Sequence, residues 1–287
     1  MRILHQDEFP PQLLEIPQIP DHLYIKGELP PPTDYIYVSV VGSRKHTSYG
    51  KDACEKIIRG LKGYPFVIVS GLALGMDSIA HKTALEVGLP TIAIPGSGLD
   101  DKVLYPSSNR GLADMILKKG GCLLSEFEPD FRATLWSFPK RNRIVAGISR
   151  AVIVIEAPEK SGALITVRMA VDYNRDVFAV PGSIFSDTSK GTNKFIKLGA
   201  TPLTCAEDIL NAFGLIDPLI PTQQTFEELE DASPEEKKLL SLLDQPLSRD
   251  ELIAKSGISA PNANAIISLL EIKGLVSENL GKIRKIG

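Results

Sequence analysis

The segment Ile36–Gly42 (IYVSVVG) decides the predicted fold, because it is a short, β-branched and almost uninterrupted apolar run that ends in glycine. A strand with one exposed face would alternate apolar and polar residues, whereas a continuous run is typical of a strand buried on both faces. Such strands occur in parallel sheets that helices cover on both sides. Ile36–Gly42 therefore predicts one strand of a buried parallel sheet.

Runs of similar character recur along the chain and alternate with segments of helical periodicity. The predicted strands are Ile36–Gly42, Phe66–Gly71, Thr91–Gly96, Cys122–Phe127, Ala151–Ala157 and Asp176–Gly182. The predicted helices are residues 47–62, 76–87, 109–119, 141–149 and 161–175. Because alternating strands and helices build a parallel sheet with helices on both sides, we predict a doubly wound, mostly parallel, Rossmann-like α/β domain over residues 34–214.

Most of the predicted strands end in glycine or serine, as in Val41-Gly42-Ser43-Arg44, Val69-Ser70-Gly71 and Val180-Pro181-Gly182-Ser183. In open parallel sheets, ligands bind beyond the carboxyl ends of the strands, and glycine there lets a ligand approach the backbone closely. Helix N-termini at the same edge carry free N–H groups that suit phosphate. We therefore predict that the loops after the strands form an anion-binding rim.

Three further segments flank this domain. Residues 1–33 contain seven prolines, which predicts an extended, turn-rich strap. Residues 215–233 have the composition of a linker. Residues 234–287 predict three short helices, two of them capped by Ser233 and Ser248, followed by a hairpin. This is the pattern of a winged helix-turn-helix domain.

The predicted recognition helix of the last domain carries no Arg or Lys in its first turns, where Asn262 and Asn264 are the residues able to read adenine. Lys282, Arg284 and Lys285, in the predicted wing, favour DNA. Two roles stay open for this domain, a protein contact and a weak DNA contact, and the composition favours the protein contact.

The whole chain is slightly acidic, with a formal net charge of −3 over 287 residues. It has no apolar run long enough to cross a membrane, and its first residues lack the apolar core of a signal peptide. Cys54, Cys122 and Cys205 lie far apart without the spacing of a metal site, which favours reduced thiols. We predict a cytoplasmic protein with no membrane contact and no metal.

One region departs from this charge balance. Phe131–Arg150 holds five Lys or Arg residues and no Asp or Glu, and Lys140, Arg141 and Arg143 lie within four positions, before an apolar run that predicts a helix start. A local cationic site on a near-neutral protein indicates a bound anion. Arginine suits phosphate because its planar fork donates two parallel hydrogen bonds, so Arg141 and Arg143 are the strongest candidates.

Aromatic residues alternate with cations next to this run, in the order Phe127, Phe131, Arg132, Trp136, Phe138 and Lys140. The bases of single-stranded nucleic acid stack on such rings while the cations follow the backbone. Arg44 and Lys45, directly after the first strand, add charge to the same predicted rim. The alternative is that Trp136 and Phe138 anchor the core and that the arginines form a solvated face.

The fingerprints of nucleotide cofactors are absent from the sequence. The first strand leads into Gly42-Ser43-Arg44 and not into a Gly-x-Gly-x-x-Gly turn, and Gly96-Ser97-Gly98 lacks the third glycine. A Walker A Gly-Lys-Ser/Thr does not occur either. We predict that the protein uses no cofactor.

Candidate catalytic groups are few. Asp77 and His81 lie four residues apart on one face of a predicted helix and could form half of a general-base system. The alternative is that Asp77 charges the first helical turn and that His81 makes a structural hydrogen bond. Glu126 and Glu156 end strands, and we expect each to pair with an arginine. Since the sequence shows no third member of a triad, we predict that this pair is not catalytic.

Together these residues resemble the DNA-processing protein A (DprA/Smf) family. The stretches that carry the resemblance follow one another in the family's order: Val40-Val41-Gly42-Ser43-Arg44, Tyr49-Gly50, Ser70–His81 (SGLALGMDSIAH), Leu124-Ser125-Glu126, Phe138–Ile144 (FPKRNRI), Glu156-Ala157, Ser161–Thr166 (SGALIT) and Val180-Pro181-Gly182. They extend over most of the predicted Rossmann-like domain, so the resemblance is far more specific than a single glycine motif.

The resemblance implies a non-catalytic single-stranded DNA-binding protein of natural transformation, which protects incoming strands and helps to load the RecA recombinase on them. It also implies a homodimer that associates through about residues 191–209. With the rim, it predicts a DNA contact set of Ser43, Arg44, Lys45, Ser70, Gly71, Phe138, Lys140, Arg141, Asn142, Arg143, Ser161 and Gly162. Asn142 could instead hold its loop by bonding its own backbone.

Two other functions stay open. One is a nucleotide-processing enzyme similar to the phosphoribohydrolases, although Pro95-Gly96-Ser97-Gly98-Leu99-Asp100 departs from the Pro-Gly-Gly-x-Gly-Thr motif of that group. The other is a transcription factor that senses a small ligand and binds a duplex through residues 234–287.

Overall fold

All six predicted apolar runs are strands in the computed structural model, and they join one sheet. The structure describes residues 1–215, 233–243, 245, 247–272, 275–279 and 281–285. The chain divides into two compact units, Met1–Leu215 and Ile216–Gly287. Of the predicted linker 215–233, residues 216–232 lie outside the described residues.

The strands of the first unit, numbered along the chain, are β1 Arg2–His5, β2 His22–Gly27, β3 Ile36–Val41, β4 Phe66–Ser70, β5 Thr91–Ala93, β6 Cys122–Ser125, β7 Ala151–Val154, β8 Asp176–Ala179 and β9 Thr201–Pro202. Their order across the sheet is β1-β2-β6-β5-β4-β3-β7-β8-β9. The strands from β6 to β9 in this order are parallel, whereas β1 and β2 are antiparallel additions at one edge. The chain winds from β3 outward to β6 and then returns to β7, beside β3, which confirms the doubly wound, mostly parallel prediction.

The helices of this unit are α1 Pro11–Leu14, α2 Ser48–Gly60, α3 Met76–Val87, α4 Arg110–Lys118, α5 Ser137–Ile148, α6 Ala163–Asp172, α7 Lys190–Lys197 and α8 Ala206–Ala212. Helix α3 packs against α2 and α4, whereas α5 packs against α6 and α1. Every residue of β4 is buried, as expected of a strand that has helices on both sides.

Each predicted strand keeps its start and ends earlier than predicted. β3 ends at Val41 and not at Gly42, and β5 ends at Ala93 and not at Gly96. Gly42, Gly71, Pro95, Gly96, Pro181 and Gly182 are among the residues that leave the ladder, because glycine and proline favour the turns that follow the strands. The rim of the sheet is therefore made of these residues.

Helix α5 begins at Ser137, four residues before its predicted start at 141. The Ser137 hydroxyl donates to the carbonyl oxygens of Gly96 (2.6 Å) and Thr134, and accepts from the Thr134 N–H. Pro139 is compatible with the first helical turn, where its missing N–H is not needed. Consequently Lys140, Arg141 and Arg143 lie inside the helix and not before it, and the helical period separates their directions.

The proline-rich residues 1–33 hold an antiparallel hairpin of β1 and β2, in which Leu4 is opposite Leu23. Strand β2 pairs with β6, and Leu13 of α1 is buried in the main core. Arg175 binds the Glu15 carboxylate (2.5 Å) and the Gln12 carbonyl (2.5 Å). This segment therefore completes one edge and one face of the sheet.

The second unit consists of α9 Pro234–Ser241, β10 Leu247–Ser248, α10 Arg249–Ser256, α11 Ala260–Ile272, β11 Val276–Asn279 and β12 Lys282–Lys285. Its described strands form a sheet of order β10-β12-β11. Ser233 and Ser248 cap α9 and α10 through their side chains, as predicted. Leu239, Leu252 and Ile267 are fully buried. Three helices with a hairpin confirm the winged-helix prediction.

None of the described helices is long and apolar enough to cross a membrane. The three cysteines are free: Cys54 and Cys122 are buried, and Cys205 is half-buried. Burial raises the pKa of the Cys54 and Cys122 thiols well above the usual range.

His81 is a core residue of α3. Its Nδ1 lies 2.7 Å from the Thr91 hydroxyl, which donates its own proton to the Ile68 carbonyl, so Nδ1 must be the donor to Thr91. Burial lowers the pKa of His81 to about 3. The imidazole is therefore neutral in the folded protein and protonated in the unfolded chain below pH ~6.5.

The His81→Gln variant should show a weaker loss of stability in acid than the wild type. Because the unfolded chain binds one more proton than the fold, His81 makes the free energy of unfolding fall by about 1.4 kcal/mol per pH unit below pH ~6.5. Urea unfolding of both proteins between pH ~7 and ~4.5 measures this difference in slope. Parallel slopes would show that His81 is protonated in the fold.

Candidate nucleic-acid interface

The carboxyl ends of β3 and β7 form the point where the sheet reverses its winding, and Arg44 lies there. The loop that carries Arg44 is fixed by its backbone: the Ser43 N–H donates to the Glu156 carbonyl (2.7 Å), and the Met76 N–H donates to the Ser43 carbonyl (3.1 Å). Gly75 has φ +79°, and a Cβ there would lie 2.4 Å from the Ser43 carbonyl oxygen. Only glycine therefore lets α3 start against this loop. The Arg44 side chain itself is exposed.

A shallow depression opens beside Arg44 at the rim, lined by Arg44, Gly71, Ala73, Leu74, Tyr105, Pro106, Phe138 and Arg141. The Phe138 ring lies against Gly96, where a Cβ would approach it to 2.6 Å. The Arg44 guanidinium stands 5.2 Å from the centre of that ring, and the Tyr105 ring lies 5.5 Å from it at 52°. The depression thus offers flat aromatic surface next to a cation, which suits a base with its phosphate.

Arg141 forms the floor of this depression and is only 6% exposed. Its Nη1 donates to the Gly71 carbonyl (2.7 Å) and to the Ile94 carbonyl, and its Nε donates to the Asn142 side-chain oxygen (3.2 Å). Burial lowers the pKa of Arg141 to about 10, while Asp77 opposes that shift. The guanidinium is therefore charged at neutral pH and joins the ends of β4 and β5 beneath the site.

Asp77 and His81 have separate structural partners. The Asp77 carboxylate accepts the N–H groups of Gly71 (3.0 Å) and Ala73 (3.2 Å), whereas His81 bonds Thr91. Burial raises the pKa of Asp77, and the Arg141 charge and both N–H bonds oppose that rise. The general-base arrangement that their spacing allowed is not formed, and the structural alternative describes both residues.

Arg143 points away from the depression, to the other side of α5. It donates to the Glu126 carboxylate (2.5 Å) and to the Gln18 carbonyl (2.5 Å), and it is 6% exposed. The Lys140 ammonium approaches the same carboxylate at 3.3 Å and remains half exposed. Arg143 therefore joins α5 to β6 and to the N-terminal segment.

The structure contradicts the alternative that Trp136 is a core anchor and that the arginines form a solvated face. Trp136 is 56% exposed, whereas Arg141 and Arg143 are both buried. Glu126 pairs with an arginine, as predicted, whereas the same prediction for Glu156 was wrong. The Glu156 carboxylate accepts from the Thr47 N–H (2.9 Å), the Thr47 hydroxyl (2.7 Å) and the Thr188 hydroxyl (2.9 Å). It therefore organises the start of α2.

The other predicted contact residues differ in how deeply they are buried. Ser43 Oγ bonds the Lys45 backbone, and Lys45 itself is exposed. Ser70 is fully buried and donates to the Val40 carbonyl (2.6 Å). Ser161 caps the backbone at the start of α6 beside exposed Gly162. Four residues of the predicted set line the depression: Arg44, Gly71, Phe138 and Arg141. The others lie outside its lining: Ser43, Lys45, Ser70, Lys140, Asn142, Arg143, Ser161 and Gly162.

Sequence reasoning missed the far wall of the depression, which is formed by Leu74, Tyr105 and Pro106. Leu74 and Tyr105 are each about half exposed. The available signal was an aromatic residue followed by proline in a loop after a predicted strand. This signal was weak, because nothing in the local pattern of a long loop shows which helix it packs against.

In the winged-helix unit, Arg249 is held inside the domain. It donates to the Glu278 carboxylate (2.6 Å) and to the Asn264 side-chain oxygen (3.1 Å). Asn264, one of two candidates for reading adenine, is thus engaged, while Asn262 is exposed. The Arg249 guanidinium is therefore engaged in contacts within the domain.

The fold and the site together define a Rossmann-like protein that carries a cationic, aromatic strand-end site and a winged-helix domain. The family described as DNA recombination-mediator protein A matches residues 1–214, and the DprA winged helix domain matches residues 223–282. The chain belongs to this DprA/Smf family of DNA processing in recombination.

Individual relatives agree with this assignment. The chain is 36% identical over 274 residues to protein Smf of Escherichia coli, with 94% of this chain and 72% of that protein covered. It is 44% identical over 207 residues to the DNA processing protein DprA of Streptococcus pneumoniae, with 72% of each covered.

Two solved structures share the fold. The X-ray structure of DprA from Streptococcus pneumoniae matches with a TM-score of 0.68 and 41% identity over 73% of each chain. DNA processing protein A from Helicobacter pylori, whose structure concerns its single-stranded DNA binding mode, matches with a TM-score of 0.67 and 30% identity. That match covers 75% of this chain and 97% of the other.

Replacing Arg143 with alanine should destabilise the fold, because the buried Glu126 carboxylate would lose its closest cation. Removal of one partner of a buried pair costs about 3–5 kcal/mol, and nearby Lys140 should keep the loss near the lower value. Urea unfolding measures it. Arg44→Ala is the control and should change the free energy of unfolding by less than about 0.5 kcal/mol. Equal stability of both variants would contradict the structural role of Arg143.

Proposed function

We propose that this protein binds single-stranded DNA at the strand-end rim, without catalytic turnover. The observation that carries the proposal is the Arg44–Phe138 pair, in which a guanidinium stands 5.2 Å from an aromatic ring over the buried charge of Arg141. A base can stack on the ring while its phosphate meets the cation. The single-stranded DNA binding of the Helicobacter pylori relative supports this proposal.

A single strand fits this site better than a duplex. The Phe138 ring lies in a depression between Gly96 and Tyr105, so a base must leave its stack to reach it. Bases of a duplex are paired and stacked, whereas those of a single strand are free to do so.

The contact residues divide into two roles in this proposal. Arg44, Lys45, Phe138 and Lys140 are accessible and contact the strand directly. Gly71 and Arg141 form the charged floor, Asn142 supports it by accepting from Arg141 Nε, and Ser43, Ser70 and Arg143 hold the loops in place. Ser161 and Gly162 extend the path toward the N-terminus of α6.

We further propose that the bound strand is incoming DNA of natural transformation, which the protein protects in the cytoplasm and presents to the RecA recombinase. The family description as a recombination mediator supports this role. The test measures RecA assembly on a single strand with and without this protein. Acceleration that is lost with Arg44→Ala supports the role, and unchanged assembly refutes it.

A homodimer through about residues 191–209 is proposed as well. Leu198 of this segment is 69% exposed, and β9 leaves one edge of the sheet unpaired in the described chain. An exposed leucine beside an open strand edge is suited to a contact with a second copy.

The Leu198→Glu variant should shift the protein toward the monomer, because a buried carboxylate at an apolar contact is costly. Light scattering at several concentrations measures the molar mass of both forms. Leu135→Glu, on a different exposed surface, is the control and should leave the mass unchanged. A monomeric wild type, or a Leu198→Glu dimer as tight as the wild type, would refute the proposed contact.

The Arg44→Ala variant should bind single-stranded DNA about 5- to 30-fold more weakly, and the slope of log affinity against log salt should fall by about 0.7, the value for one phosphate on a single strand. Phe138→Leu should weaken binding by a similar factor through lost stacking and leave the slope unchanged. Titration of labelled oligonucleotides at several salt concentrations measures both quantities.

The matched control is Arg59→Ala, which removes an exposed arginine at the far end of α2, where it pairs with Glu86. This variant should bind like the wild type. Wild-type affinity of both Arg44→Ala and Phe138→Leu would refute the proposed site. Mononucleotide hydrolysis abolished by Asp77→Asn would favour the enzyme alternative.

A further inference from the structure

A second aromatic surface lies on the other side of the α5 N-terminus from the depression. The Phe127 and Phe131 rings stack at 4.6 Å and 17°, and the Trp136 ring meets both edge-on at 5.8 and 5.5 Å. Trp136 is 56% exposed, and neighbouring Leu135 is 91% exposed. We call these three rings, with Leu135, the Trp136 platform. Phe127 is buried and Phe131 is half-buried, so Trp136 and Leu135 supply the exposed surface. An exposed apolar surface of this kind on a folded domain indicates a ligand or partner.

The platform is held rigidly before any ligand arrives. The loop that carries it is bonded to the loop after β5, because the Gly98 N–H donates to the Phe131 carbonyl (2.9 Å) and the Asp100 N–H donates to the Pro129 carbonyl (2.9 Å). The Tyr24 hydroxyl also donates to Glu128 (2.7 Å). Little ordering of the loop would therefore be needed on binding.

Lys140 supplies a cation directly beside the platform, although Glu128 and Asp130 of the same loop are exposed carboxylates. The Lys140 ammonium lies 5.4 Å from the Phe127 ring centre and 5.9 Å from that of Trp136. Its partner Glu126 also binds Arg143, so one carboxylate serves two cations. An exposed indole beside a lysine suits a nucleic-acid strand, because a base can stack on Trp136 while its phosphate meets the Lys140 cation.

Trp136 and Phe138 are two residues apart at the start of one helix, so their side chains leave it about 200° apart. A helix with side chains is about 10–12 Å across, which exceeds the ~3.4 Å rise between stacked bases. One base cannot reach both rings, and two directly stacked bases cannot either. A strand that occupies both must be extended and unpaired around the helix N-terminus.

We propose that the Trp136 platform is a second stacking position for the same single strand that the Arg44–Phe138 depression binds. The inference rests on the proposed function and extends it to a longer footprint. Continuity along the start of α5 and the Lys140 charge beside the rings favour a base of that strand as the occupant. Short oligonucleotides then fill one position, and longer ones fill both.

The test uses Trp136 as its own reporter, because it is the single tryptophan of the chain. A labelled dT20 strand, followed by anisotropy, should bind and also quench the tryptophan emission of the wild type. Trp136→Ala should weaken dT20 binding about tenfold or more, as expected for one lost stack, and change dT4 binding less than about twofold. Trp136→Phe should restore most of the dT20 affinity.

Two failures are distinguishable in this experiment. If dT20 binds by anisotropy while the emission stays constant and Trp136→Ala binds like the wild type, the second stacking position is wrong and the proposed function stands. If neither strand binds saturably, the proposed function fails, and the inference fails with it. Equal weakening of dT4 and dT20 by Trp136→Ala would also overturn the two-position footprint.

Discussion

The bonds from the Arg141 guanidinium to the carbonyl oxygens of Gly71 and Ile94 are the interaction on which the site depends. These carbonyls lie just beyond the ends of β4 and β5, where the parallel ladder stops and its acceptors need new partners. One planar cation bonds both and so ties α5 to two strands. The same helix carries Arg143, which binds Glu126 after β6 on its opposite side. Helix α5 is thereby fixed across the strand ends, and Phe138 and Trp136 at its start have defined positions.

The cations of this region differ in their burial. Arg141 and Arg143 are buried and bonded, so they form a rigid scaffold, in which Arg141 supplies a fixed charge and Glu126 balances that of Arg143. Arg44 and Lys140 are exposed, and each lies against an aromatic ring. A buried charge with satisfied bonds is preorganised, whereas an exposed cation can follow a flexible phosphate. The site combines both, which suits a polymer whose bases and backbone need different partners.

Much of the fold was predictable from local pattern, because it rests on burial. Val67, Ile68 and Val69 are apolar on both faces of β4, and such runs identified all six predicted strands. Strands β1, β2 and β9 were not predicted. The first two lie in the segment 1–33, whose seven prolines favoured an extended strap, and β9 has only two residues, too few to show a period. Their pairing is created by contact with β6 and β8.

The sequence by itself determined the doubly wound sheet, the winged-helix pattern, the family, and the concentration of cations and rings between β6 and β7. Only the tertiary structure decided that Arg141 and Arg143 are buried, that Trp136 is exposed, and that Tyr105 joins Phe138 in one depression. The sequence shows which charged side chains a segment contains. The directions of these side chains depend on where the helix begins and on which carbonyl oxygens lie beside it. The start of α5 at Ser137 determines the directions of Arg141 and Arg143.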